Sequence, residues 1–310
     1  MDWTAEIRAA ARRIAPYVRR TPVMQATLPG LRYPVALKLE QTQHTGSFKA
    51  RGAFNTLLSG PVPAAGVVAA SGGNHGAAVG FAAHSLGHRA RVFVPELAGP
   101  AKIALIRDTG AELTVVPGVF DNAYAAARAH ETDTGAMQIH AYDAPGTVAG
   151  QGTCFAEWED QGLEADTVLI AVGGGGLIGG AAAWFGPRRR IVAVEPENAP
   201  TLNRAFAEGP EAEVEVSGVA ANALGARRIG KIGYGLAKAA GVASVLVSDA
   251  AILAAQALLW RGLRQWVEPG GATALAALLS GAYRPAKGER VAVLVCGANP
   301  APDPLQETSH

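Results

Sequence analysis

The 310-residue sequence predicts an α/β protein built on two parallel-rich sheets covered by helices. Three observations lead there. Short apolar runs recur along the chain, Ala-rich helix-compatible stretches separate most of them, and glycines gather where the runs end. Strands alternating with helices make βαβ units. Their sheets are covered on both faces, so their strands read as unbroken apolar runs.

In chain order, Trp3, Ile7, Ala10, Ile14 and Val18 share one helical face that Arg8, Arg12 and Arg19 avoid, so the chain opens with an amphipathic helix. Thr21-Pro22 ends it, and Val35–Leu39 reads as a strand. Thr45-Gly46-Ser47 is expected to be a turn that caps a helix, with Lys49 in its first turn. Further strands are expected at 67–70, 90–94, 112–116, 137–140, 167–172, 190–195, 243–247 and 290–296. Helices are expected at 77–86, 101–109, 122–131, 147–160 and 249–265. Eight or nine strands suit two sheets better than one. No linker, low-complexity tract or 20–50-residue repeat marks a boundary, so the chain is free to cross between domains more than once.

Composition removes several function classes. Hydrophobic residues make up 49% and charged ones 17%, which excludes a disordered chain. Lys+Arg 27 against Asp+Glu 26 leaves +1, with no basic block, so neither a nucleic-acid nor a membrane-surface partner has an electrostatic footprint. Residues 167–186 carry no charge, the length of a membrane span, yet seven of them are Gly. At ~1 kcal/mol per Gly relative to Ala a lone helix would not survive that, so a buried strand, a glycine turn and a packed helix are expected. Two Cys make no disulfide framework and the N-terminus has no apolar leader, which together point to a reducing cytoplasm. Gly 38 and Pro 19 together make roughly 18% of the chain against a typical ~12%, a backbone built to approach a ligand closely.

Four places where a strand hands over to a helix or loop are candidate sites, since ligands of open α/β sheets bind at that edge. Lys49 sits at the positive end of a helix dipole, a poor place for a cation but a good one for an amine of lowered pKa or one held as a Schiff base. Ser71-Gly72-Gly73-Asn74-His75-Gly76 forms a nest of backbone N–H groups suited to a carboxylate or phosphate. Gly173, Gly174, Gly175 and Gly176 follow a buried strand, as a phosphate cradle would. Gly174, Gly176 and Gly179, with Glu195 about twenty residues on, also match the dinucleotide fingerprint G-x-G-x-x-G. An NAD-binding oxidoreductase is therefore an alternative at this point. Cys296 ends the last apolar run, at a strand's C-terminal edge. His84 and His88 lack the Glu of a zinc helix, and no paired Cys spacing exists for a structural metal.

Together and in this order, HTGSFKARGA (44–53), SGGNHG (71–76), GGGGL (173–177), Glu195-Pro196 and Cys296-Gly297-Ala298-Asn299 resemble one family. They are similar to the pyridoxal-phosphate enzymes of the tryptophan synthase β-like fold (fold type II), in the branch of serine/threonine dehydratases and serine racemases. The resemblance implies a two-domain α/β fold with the active site in the interdomain cleft. A large domain would comprise residues 1–57 and 144–310, and a small α/β domain residues 58–143. Lys49 would hold pyridoxal 5'-phosphate covalently and later remove the substrate's Cα proton. Phe48 would pack on the ring region, Asn74 would bond its 3-oxygen, and Gly173–Gly176 with Leu177 would wrap its phosphate. Cys296 would face the ring nitrogen, and Ser71, Gly72, Gly73, Asn74 and His75 would bind the substrate carboxylate. A homodimer is the assembly the family implies.

The family's pattern also bears on the reaction. A neutral thiol (reference pKa ~8.5) at the ring nitrogen, where an Asp would keep it protonated, favours elimination over transamination. The implied activity is α,β-elimination from L-threonine, L-serine or a related 3-hydroxy amino acid, giving a 2-oxo acid and ammonia. Racemases of the branch need a second acid, commonly Ser, two residues before the loop Asn; here that position is Gly72. The cation site of racemase-like members uses the Glu of Glu-Pro, a carbonyl four residues on and an Asp six on. This chain has Glu195 and Ala199 but Thr201, so no metal is expected. Asn222-Ala223-Leu224-Gly225 stands where many relatives have Asp-Gly, which alters one substrate wall. The chain is short after Asn299, which implies an enzyme without an appended regulatory domain.

Overall fold

The computed structural model describes residues 1–300. Helix α1 (Trp3–Ile14) leads to a short pair, β1 (Val23–Ala26) and β2 (Val35–Leu39), and then to α2 (Lys49–Leu58). A run of βα units follows: β3 (Val67–Ala70), α3 (Asn74–Ser85), β4 (Ala90–Pro95), α4 (Gly99–Arg107), β5 (Glu112–Val116), α5 (Phe120–Thr134) and β6 (Met137–Gln138). After α6 (Pro145–Asp160) come β7 (Thr167–Ala171), α7 (Gly176–Phe185), β8 (Arg190–Pro196), α8 (Thr201–Glu208), α9 (Ala221–Leu224) and α10 (Lys231–Ala239). Strand β9 (Ala243–Val247), α11 (Asp249–Leu263), α12 (Pro269–Ser280) and β10 (Val291–Val295) complete the described chain.

The strands form a six-stranded sheet, β1-β2-β10-β7-β8-β9, and a four-stranded one, β5-β4-β3-β6. Every pairing is parallel except β1 with β2. The smaller sheet is drawn wholly from residues 67–138, and the larger one from the chain on either side. In the larger sheet β10 lies between β2 and β7, so the C-terminal ends of the first, sixth and last apolar stretches meet at one edge. The apolar face of α2 (Ala50, Ala53, Phe54, Leu57) packs under the small sheet with Val67, Ala69, Ala78 and Val79. Its other side meets α6 so closely that a Cβ on Gly150 would lie 2.6 Å from the Gly52 Cα. A buried charge cluster fixes the same helix. Arg51 Nε is 2.6 Å from Glu40 Oε1, Arg51 Nη2 is 3.0 Å from Glu157 Oε2, and Lys38 Nζ is 2.5 Å from Glu157 Oε1. Two cations face two carboxylates there, so burial leaves no charge uncompensated.

Four expectations change. The described residues hold ten strands, because β1 pairs antiparallel at the sheet edge through only four residues, too few to show a period. The 137–140 run is a two-residue strand. Helices α8, α9, α10 and α12 were not foreseen, and for α12 the reason is burial: PGGATALAALLS is almost wholly covered and so lacks an amphipathic stripe. Ser47 does not cap α2. Its backbone is extended (φ −159°) and pairs with Gly297, which leaves Phe48 as the N-cap with no side-chain bond, and the Ser47 Oγ is buried without a partner. Residues 167–186 divide into β7, a glycine turn and α7, and among the described residues no helix is long and apolar enough to cross a membrane.

Candidate active site

Two connected spaces lie where the sheets' C-terminal edges face each other. A cleft of about 900 Å³ is lined by Lys49, the 71–75 loop, Ala98, Phe120 and Asn222. A narrow cavity of about 40 Å³ lies beside it, lined by Phe48, Lys49, Gly173–Gly176, Leu177 and Cys296. Lys49, Tyr142 and Gly174 border both.

Lys49 is the first residue of α2, and its Nζ donates to Ala141 O at 2.8 Å and lies 5.0 Å from the Phe48 ring centroid. The turn that aims Ala141 O is held by His140, whose Nδ1 accepts from Asp143 N at 2.9 Å. Burial pulls the Lys49 amine down to about 8, against the pull of Cys296. A neutral, nucleophilic fraction is therefore present near physiological pH. Phe48 N donates to Cys296 O at 3.2 Å, so the start of α2 is sewn to the end of β10. That contact brings Lys49 and Cys296 into one cavity from opposite ends of the chain. The Cys296 thiol is pushed up to about 12 by burial and by Glu268; it stays protonated and points its S–H at Gly270 O, 3.7 Å away.

The glycine turn after β7 is a cradle that any side chain would fill. A Cβ on Gly174 would run into the Tyr142 ring, one on Gly173 would come within 3.0 Å of the Leu224 Cα, and one on Gly175 within 2.8 Å of Ile229 Cδ1. Gly175 also has φ +96°, which an L side chain resists. Helix α7 starts at Gly176, so its unpaired first-turn N–H groups and the positive end of its dipole face this space.

Across the cleft, α3 begins at Asn74 with Gly73 as N-cap. Part of the expected nest is already used: Gly73 N donates to Ser71 Oγ at 3.2 Å, which leaves the first-turn amides of α3 for an anion. His75 is buried with Nε2 2.8 Å from Ile139 O, and burial and Lys49 hold it down at about 3, so it is neutral and braces the loop. Asn74 sits in a network that the sequence patterns did not reveal. Its Nδ2 donates to Glu268 Oε1 (2.5 Å) and its Oδ1 accepts from Asn299 Nδ2 (2.9 Å). Lys102 Nζ lies 3.4 Å from Glu268 Oε2 and donates to Asn299 O at 2.5 Å. Burial raises Glu268, and Lys102 and Asn74 oppose that rise. The Asn74 amide keeps one N–H for a ligand, in an orientation fixed by its other bonds.

An amine at a helix start, a glycine cradle at the start of a second helix and a fixed amide thus border the same two spaces. Residues 14–297 match the family described as Pyridoxal-phosphate dependent enzyme. The chain belongs to this family. Its relatives include a phenylserine dehydratase of Ralstonia pickettii, 36% identical over 93% of this chain and 90% of that protein. An L-threonine ammonia-lyase of Geobacter sulfurreducens is 35% identical over 94% of this chain and 74% of that protein. Maize serine racemase superposes with a TM-score of 0.88 at 31% identity, covering 96% of this chain and 93% of that one. The fold is that of the fold type II pyridoxal-phosphate enzymes, in the dehydratase and racemase branch, and the protein is a pyridoxal-phosphate-dependent lyase.

The residues of this pyridoxal-phosphate enzyme suit the cofactor. Lys49 is the amine that would hold it, the Gly173–Gly176 cradle and the α7 amides are shaped for its phosphate, Asn74 offers its free N–H, and Cys296 brings a neutral thiol. The dinucleotide alternative lapses on the family match and also on geometry. The acid that would take a ribose, Glu195, is buried, and it accepts from Leu202 N at 2.6 Å and Asn203 N at 2.8 Å. The same two bonds commit both Glu195 oxygens to the start of α8. Among the described residues no cluster of three His, Cys, Asp or Glu side chains is placed to hold a metal ion.

Proposed function

We propose that the enzyme removes ammonia from a 3-hydroxy amino acid by α,β-elimination, with L-serine and L-threonine as the simplest substrates, and that it does not racemise them. The observation that carries the proposal is the asymmetry of the cleft. On one side Lys49 supplies an amine that burial lowers to about 8, so that a neutral fraction is present. On the other, where a racemase needs an acid, stands Gly72, and a Cβ there would lie 2.8 Å from the Ala98 methyl.

The substrate carboxylate is taken to sit on the amides that open α3, with Asn74 beside it, leaving the Cα proton toward Lys49. Bound pyridoxal phosphate supplies an electron-withdrawing ring that lowers the acidity barrier at Cα. Lys49 Nζ takes the proton from Cα; the Cα–H electron pair forms the Cα–Cβ double bond as the β-hydroxyl departs. The Lys49 ammonium so formed returns that proton to the leaving oxygen, which departs as water and leaves the amine neutral again. The 2-amino acrylate-type product hydrolyses in solution to a 2-oxo acid and ammonia. Cys296, held neutral by burial, offers no negative charge to stabilise a protonated ring nitrogen, which supports elimination over slower alternatives. His75 and His140 are both shifted down, mainly by burial, and His75 is bonded through Nε2 to Ile139 O.

The test is coupled measurement of ammonia and 2-oxo acid from L-serine and L-threonine, with chiral analysis of the unreacted amino acid. Equimolar ammonia and 2-oxo acid with unchanged chirality is the expected outcome. D-amino acid formed as fast as 2-oxo acid overturns the proposal.

A further inference from the structure

Resting on the elimination just described, we propose that the preferred substrate carries an aromatic or similarly large apolar group on its β-carbon, received by Leu97, Val119 and Phe120. These residues follow the C-terminal ends of β4 and β5, on the small-sheet side of the cleft. Leu97 is 73% exposed, Val119 52% and Phe120 50%, so the wall facing the substrate is left unburied in a chain whose core is otherwise well covered. Tyr124 stacks on Phe120, with ring centroids 6.1 Å apart and planes 21° from parallel, and extends the aromatic surface. An apolar patch with a polar rim marks a place where something apolar binds.

The opposite wall argues against an acidic substituent. Arg227 and Arg228 border the cleft, but Arg228 pairs with Glu211 (3.0 Å) and Glu213 (2.6 Å), and Arg227 lies 3.8 Å from both Asp121 and Glu213. Glu215 adds an exposed carboxylate to the same lining. Among the described residues that line the cleft, Lys49 is then the one cation without a carboxylate partner, and it is committed to the reaction centre.

The experiment compares kcat/KM for L-threo-3-phenylserine, L-threonine and L-threo-3-hydroxyaspartate, by ammonia release, in the wild-type holoenzyme and in Leu97→Ala, Phe120→Ala and Phe120→Leu. One methylene in a hydrophobic pocket is worth ~10–200-fold in discrimination. Phenylserine is therefore expected to exceed threonine by tenfold or more. Phe120→Ala and Leu97→Ala should each cut that ratio about tenfold, mostly through KM, and Phe120→Leu should restore much of it. A wild-type preference for threonine or hydroxyaspartate overturns this inference and leaves the elimination reading intact, as does an equal loss on all substrates in the alanine variants. No ammonia from any of the three sinks the elimination reading itself.

Discussion

Placing a serine at position 72 is the obvious way to give the far side of the cleft an acid, and the structure says it will not work alone. Gly72 does not have a positive φ, so the backbone accepts a side chain there. Space is the obstacle: the new Cβ would lie 2.8 Å from the Ala98 Cβ and 3.4 Å from Pro95 Cγ. Carbon atoms pack at ≈3.5–4.0 Å, so the Ala98 contact is well inside that range. Overpacking of this kind costs about 1–3 kcal/mol or displaces the backbone. Here the backbone is the loop whose amides are assigned to the carboxylate. Gly72→Ser should therefore lose about 1–3 kcal/mol in denaturant unfolding and gain little racemisation. Gly72→Ser/Ala98→Gly removes the blocking methyl and should recover most of that stability. A positioned general acid contributes ~10²–10⁴-fold, so D-serine formation should rise by at least the lower figure in the double variant. Chiral chromatography of recovered serine, run beside pyruvate release, reads both. A single variant as stable as wild type would show that the Ala98 contact does not constrain the loop. A stable double variant that eliminates normally yet makes no D-serine would show that position 72 does not face the reacting carbon.

Lys102→Met should destabilise the protein by up to about 3–5 kcal/mol and weaken cofactor retention, because it leaves Glu268 buried without its cation and frees Asn74 to turn. Adding Glu268→Gln should restore much of both, measured by unfolding and by pyridoxal-phosphate titration. Burial raises Glu195 to about 7. Between the unfolded value of ~4.3 and that pH the folded state therefore binds a proton that the unfolded chain does not, and stability falls as pH rises through the window. Up to about 4 kcal/mol of stability present at low pH should be lost by pH 8, and Glu195→Gln should flatten that slope in pH-dependent unfolding.

The parts of the fold that were legible in the sequence are those with a period or a run. Buried parallel strands such as Val67–Ala70, Thr167–Ala171 and Val291–Val295 carry no polar residue to interrupt them, apart from the Thr167 that opens the second. The candidate site residues stand out in the sequence because each follows such a run, Lys49 at a distance from Val35–Leu39 and the others directly. Helix α12 escaped notice for the opposite reason, since a helix buried on all sides has no polar face to set its period. Lys102 and Glu268 meet only through the tertiary fold, 166 residues apart, and each alone looks like an ordinary surface charge. The one hint was Glu268 directly before Pro269-Gly270-Gly271, a helix start with nothing polar after it for several residues. The Ala98 methyl over Gly72 was invisible for the same reason: a packing contact leaves no trace in spacing. Ser47 shows the converse error, in which good capping chemistry was displaced by pairing with Gly297.

The account rests on Lys49 as the residue that holds the cofactor. The direct measurement is borohydride reduction of the purified yellow holoenzyme, followed by proteolysis and mass spectrometry of the pyridoxyl-labelled peptide. The label is expected on Lys49 alone, with Lys49→Ala binding pyridoxal phosphate only reversibly and remaining unlabelled after reduction. A label on Lys102 or Lys38, or a wild-type protein that reduction leaves unlabelled, would contradict the assignment and the chemistry built on it.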